Sequence, residues 1–171
     1  MDPGSAILFA TAVVVGLGAL ACVARAIGAE GTAMRVVWIG RVLALLGAAT
    51  AIAFPAVLYR ELVDIALPRG ADIGWMPTGI AQTALLIPLT VVPAFVSLRW
   101  TRLGGVLFLL NAIVSAAFLV YDPFGAFPER DVTGGLVFDV GSRLITAILL
   151  LVPGLLDSSV SRSSPMPVVC L

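Results

Sequence analysis

Five apolar stretches, residues 5–24, 36–59, 80–98, 103–121 and 136–156, run through a chain of 171 residues. A helix needs about 20 residues, at about 1.5 Å each, to cross the hydrocarbon layer of a bilayer. Each of the five is 19 to 24 residues long. The first, third and fourth contain no charge, the second only Arg41, and the fifth Asp139 and Arg143. With 60% of its residues hydrophobic and 12% charged, a chain this short cannot bury its apolar surface in one water-surrounded core. A soluble globular domain, a nucleic-acid binder and a disordered chain are excluded. The pattern implies an all-α integral membrane bundle with five transmembrane helices. It reads as one domain over residues 1–156, followed by a disordered cytoplasmic tail at 157–171.

The fifth stretch is the most demanding of the five. Its uninterrupted apolar part, residues 144–156, is 13 residues long. That is too short to cross alone, so the alternative is four spans followed by an interfacial or re-entrant C-terminal segment. Residues 1–4, Met1-Asp2-Pro3-Gly4, lack the positive start of a signal peptide, so the first stretch reads as a retained span.

Charge sets the expected orientation. In the five-span arrangement Arg25, Arg35, Arg41, Arg99, Arg102 and Arg162 fall on one side, against Glu30 and Asp157. Arg60, Arg69 and Arg130 fall on the other, with Asp2, Glu61, Asp64, Asp72, Asp122, Glu129 and Asp131. Six arginines against three make the first side cytoplasmic, with the N-terminus outside and the C-terminus inside a plasma membrane. Trp38, Tyr59, Trp75, Trp100 and Tyr121 lie near span ends, where amphipathic rings favour the headgroup layer.

Few residues inside the spans carry chemistry. Asp139 and Arg143 are four apart and share a helix face, so they are placed to pair. A lone charge at the bilayer centre costs about 2.5–3.5 kcal/mol, which makes pairing valuable. Asn111 sits in the middle of the fourth stretch, within reach of Gln82, Thr83 or Thr90 on the third. Asp139, Arg143 and Asn111 are therefore the candidate polar intramembrane site. Arg41, Arg99 and Arg102 are candidate anchors for lipid phosphate, Arg41 by snorkelling from within its span. Being spread over short loops, the arginines imply general anchoring and no lipid specificity. The outer acids lack the alternating pattern of a calcium loop and read as a solvated face. Gly40, Ala44 and Ala48, with Gly47 and Ala51, and Ala12 with Gly16, form rows of small residues suited to close helix packing.

With no histidine, no lysine and two cysteines, the chain lacks the usual nucleophile–base sets and metal-ligand clusters. No enzyme, no cofactor and no metal are expected. Trp38-Ile39-Gly40-Arg41 opens one stretch, and Arg99-Trp100-Thr101-Arg102 leads into Gly104-Gly105 in another. Over about residues 36–156 these resemble small prokaryotic multi-pass membrane proteins of uncharacterised function, a likeness that implies a fold and no activity. The expected role is an accessory or structural membrane subunit, partnered by the lipid bilayer and by another membrane protein or a second copy. The alternative is a small transporter or channel component with a polar path at Asp139, Arg143 and Asn111. The orientation has a direct check at Cys170. In a Cys22→Ser background, an impermeant thiol reagent applied to intact cells leaves Cys170 unlabelled; labelling overturns the topology.

Overall fold

The computed structural model describes residues 3–61, 76–121 and 139–163, which form five helices and, among these residues, no strand. They are α1 (Pro3–Gly28), α2 (Thr32–Glu61), α3 (Met76–Arg99), α4 (Thr101–Tyr121) and α5 (Gly141–Ser163). Three are long and apolar enough to cross a membrane, over Ala6–Gly28, Thr32–Pro55 and Thr101–Tyr121. α3 and α5 contribute shorter apolar helical segments, Ile87–Arg99 and Gly141–Pro153. The outer-loop acids Asp64, Asp72, Asp122, Glu129 and Asp131, together with Trp75 and Cys170, lie outside the described residues.

Helices α1 to α4 overrun the apolar stretches because hydropathy marks only the part suited to hydrocarbon. The hydrogen-bond ladder continues until something interrupts it. Between α1 and α2 the interruption is Gly31, whose φ of 90° lies in the left-handed region that glycine enters without penalty. Arg35 donates from Nε to the Ala29 carbonyl at 3.0 Å, satisfying a carbonyl just beyond the end of α1. Only Trp100 separates α3 from α4. At α5 the boundaries differ from the expected 136–156. The described part opens with a wide π-type turn at Asp139 and Val140, and residues 136–138 lie outside it. The helix then runs on through Ser163, into the segment expected as a tail. No glycine or proline follows Gly154 until Pro165, and the residue before a proline disfavours the helical conformation.

α2 packs on α3, α3 on α4, α4 on α5 and α5 on α2, closing a four-helix ring; α1 lies against α2. Neighbours run in opposite directions. Ser97 and Thr90 of α3 meet Gly104 and Asn111 of α4 in reversed order, and Gly105 and Asn111 meet Leu150 and Arg143 of α5 likewise. Small residues set the spacing. Gly40, Ala44 and Ala48 form a buried row on α2, as their four-residue recurrence leads one to expect. α1 offers Ala12, Val15, Ala19 and Cys22 to the same core.

Gly104 and Gly105 are the closest approaches. A Cβ on Gly104 would stand 2.5 Å from the Cα of Ser97, and one on Gly105 2.7 Å from the Leu151 side chain. Gly40 leaves room for Leu149 and Leu150 in the same way. The outside is the reverse of a soluble surface. Leu17, Leu20, Phe54, Leu110 and Ile145 are all exposed, and their neighbours along each helix are also apolar. A belt of this kind belongs to a membrane protein.

Gly104→Ala forces a methyl into α3 backbone and destabilises the bundle by about 1–3 kcal/mol. Gly16→Ala meets nothing within 4 Å and leaves stability unchanged or slightly raised. Unfolding of both variants in detergent micelles checks the contrast.

Candidate functional site

Arg143 sits on the second turn of the described part of α5, and its guanidinium reaches into the α4–α5 seam with only 11% of its side chain exposed. Nη2 donates to Asp139 Oδ1 at 2.7 Å, the ion pair that the four-residue spacing anticipates. Nη1 donates to Asn111 Oδ1 at 2.9 Å and also to Ser115 Oγ. Asn111 in turn donates from Nδ2 to Thr90 Oγ1 at 3.4 Å, carrying the network onto α3. Asn111, Ser115 and Thr90 are all buried. Five side chains from three helices thus share one continuous set of hydrogen bonds.

The three candidates Asp139, Arg143 and Asn111 meet directly. Asn111 is the central residue of the 21 in α4, so the guanidinium lies about half-way along that helix. The carbonyl oxygen of Asn111 faces the cation and its amide nitrogen faces Thr90, an arrangement that uses both ends of the amide. Asp139 is nearer the rim, with 45% of its side chain exposed. The turn around it is tied locally. Ser142 Oγ donates to the Asp139 carbonyl at 2.9 Å, and Thr146 Oγ1 to the Ser142 carbonyl at 2.8 Å.

Sequence reasoning names Thr90 as a partner for Asn111 but passes over Ser115. Ser115 is four residues beyond Asn111, hence on the same face, and a second polar position in the apolar run 103–120 is the signal that identifies it. The side chains of Gln82 and Thr83 lie outside the description.

A second arginine, the expected phosphate anchor Arg41, also makes contacts within the bundle. Arg41 turns inward from α2, donating from Nε to the Ser97 carbonyl at 3.1 Å and from Nη2 to Thr101 Oγ1 at 2.9 Å. The physical reason is the break at Trp100. The last carbonyls of α3 lose their helical partners there, and a half-buried guanidinium supplies donors to one of them. Its other face stacks over Trp38, 4.5 Å from the ring centroid. Arg99 and Arg102 both remain exposed at the same end, and the Arg99 guanidinium lies 5.4 Å from the Trp100 centroid.

Between the two polar levels the ring is filled. Leu150 stands between Gly40 of α2 and Gly105 of α4, and Phe108 is buried in the same core. Comparison with family models, with curated proteins and with solved structures finds no match in any of the three.

The network generates a specific energetic expectation. In a double-mutant cycle on Asn111→Ala and Arg143→Met, the two losses are non-additive by about 0.5–3 kcal/mol. Additivity within about 0.5 kcal/mol means the contact does not tie α4 to α5.

Proposed function

We propose that the chain is a multi-pass membrane protein whose five helices all cross the bilayer, acting as an accessory or structural membrane subunit without catalytic chemistry or cofactor. The observation that carries this reading is where the intramembrane polar groups are spent. Arg143 gives its donors to Asp139, Asn111 and Ser115, and Asn111 gives its amide to Thr90. Side chains expensive to place in hydrocarbon thus hold helices to one another. The partner is another membrane protein or a second copy, met through the exposed apolar helix surfaces. The arginine balance argues for an outside N-terminus and a cytoplasmic C-terminus.

A second reading rests on Asp139. Its half-exposed carboxylate is the outermost point of a polar chain that reaches the middle of α4. That geometry suits the mouth of a polar path in a small transporter or channel component.

Mild detergent extraction followed by mass spectrometry and a flux assay separates the two. The subunit reading expects a stoichiometric partner chain or a homo-oligomer. It also expects proteoliposomes whose solute permeability matches empty vesicles and does not change with Asp139→Asn. A monomer whose flux is abolished by Asp139→Asn and Arg143→Gln overturns it in favour of transport.

A further inference from the structure

Arginines far apart in the chain are gathered by the fold at one end of the bundle. Alternating helix directions place the end of α1, the start of α2, the end of α3 and the start of α4 together. Arg25 lies in the last turn of α1, Arg35 in the first turn of α2, Arg99 at the end of α3 and Arg102 at the second position of α4. All four are exposed; Glu30, between α1 and α2, and Asp157, near the end of α5, are the acids among the described residues at this end. Sequence spacing alone suggests a dispersed, unspecific set of anchors; the fold makes them one face.

The α3–α4 turn has the further features of a headgroup seat. Trp100 is 56% exposed at its tip, with the Arg99 guanidinium over its ring. Directly below Arg102 on the same helix face come Val106, Leu110 and Ile113, all exposed, and below Arg99 on α3 come Phe95 and Val92, also exposed. A cationic rim thus caps two apolar stripes that run down into the bilayer. A free phosphate has no use for the stripes, whereas a phospholipid matches both parts. Arg41 contributes from inside, since its bonds to the Ser97 carbonyl and Thr101 hold the turn that presents Arg99 and Arg102.

We infer that this turn binds an anionic phospholipid, with Arg99 and Arg102 on the phosphodiester, Trp100 at the interface and the acyl chains along the α3 and α4 stripes. Arg25 and Arg35 extend the positive face. The inference rests on the membrane-spanning reading above.

The test uses the full chain in nanodiscs of phosphatidylcholine alone or with phosphatidylglycerol, read by unfolding temperature and by the lipid retained in native mass spectrometry. Wild type is expected to retain phosphatidylglycerol and to melt higher in its presence. Arg99→Gln with Arg102→Gln is expected to bind it about 30-fold more weakly, about five-fold for each arginine near the surface. Arg41→Gln is expected to lower the melting temperature in both kinds of disc. Equal retention by wild type and the double variant overturns the site. Stabilisation by inorganic phosphate in phosphatidylcholine discs, equal to that from phosphatidylglycerol, overturns the lipid as ligand. Alkaline-carbonate washing of native membranes separates the two levels of the argument. A chain released by carbonate fails the spanning reading itself, while one retained yet indifferent to phosphatidylglycerol fails this inference alone.

Discussion

A guanidinium buried against the middle of a neighbouring apolar helix has to find acceptors, and that requirement orders much of this bundle. Arg143 cannot deprotonate to escape the cost, so its environment has to supply oxygen atoms in the right places. Asp139 does so from the turn that leads into α5, while Asn111 and Ser115 do so from successive turns of α4. The two α4 acceptors at fixed heights set both the depth and the rotation of α5 against α4. A shift of α5 by one turn separates the cation from the α4 oxygens while leaving Asp139 in reach. The register between these helices is therefore specified by polar contacts, where apolar packing alone tolerates sliding.

Arg41 performs a related task at the other end. It joins α2 to the α3–α4 turn through a backbone carbonyl and a hydroxyl, so α2 reads the position of the turn directly. The ring is thus stitched at two levels, with close-packed glycines between. Gly104 is needed because Ser97 lies against it, and Ser97 is also the residue whose carbonyl Arg41 caps. Close approach and capping reinforce each other at the same place. α1 is attached in another way, by small and apolar side chains against α2, which makes it the most peripheral of the five helices.

Helix number and rough position were legible because length and hydropathy report directly on what can occupy hydrocarbon. The Asp139–Arg143 pair was legible too, since helical spacing alone brings the two together. What escaped was information that exists only after helices are placed side by side. Arg41 is near a span end in sequence and looks like an anchor. Its inward turn depends on the broken ladder at Trp100, which no local pattern around Arg41 contains. The Gly104-Gly105 pair could be seen as a motif but not as the contact with Ser97 and Leu151. The end of α5 was hidden for a different reason. A serine-rich stretch reads as a tail by composition, while the backbone continues as helix until Pro165 is near.

The filled interior bears on what such a bundle can do. Leu150 occupies the space between Gly40 and Gly105, so this one side chain touches both α2 and α4. With Phe108 beside the same core, the polar levels at Arg41 and Arg143 are separated by an apolar layer. A continuous path between them requires Leu150 to leave that position. Arg143 holds α5 against α4 through its bonds to Asn111 and Ser115, and the same hydrogen bonds satisfy the buried guanidinium. In this arrangement the arginine acts as a lock between helices, and Asp139, half-exposed at the rim, is the one member of the network positioned for solvent to act on it.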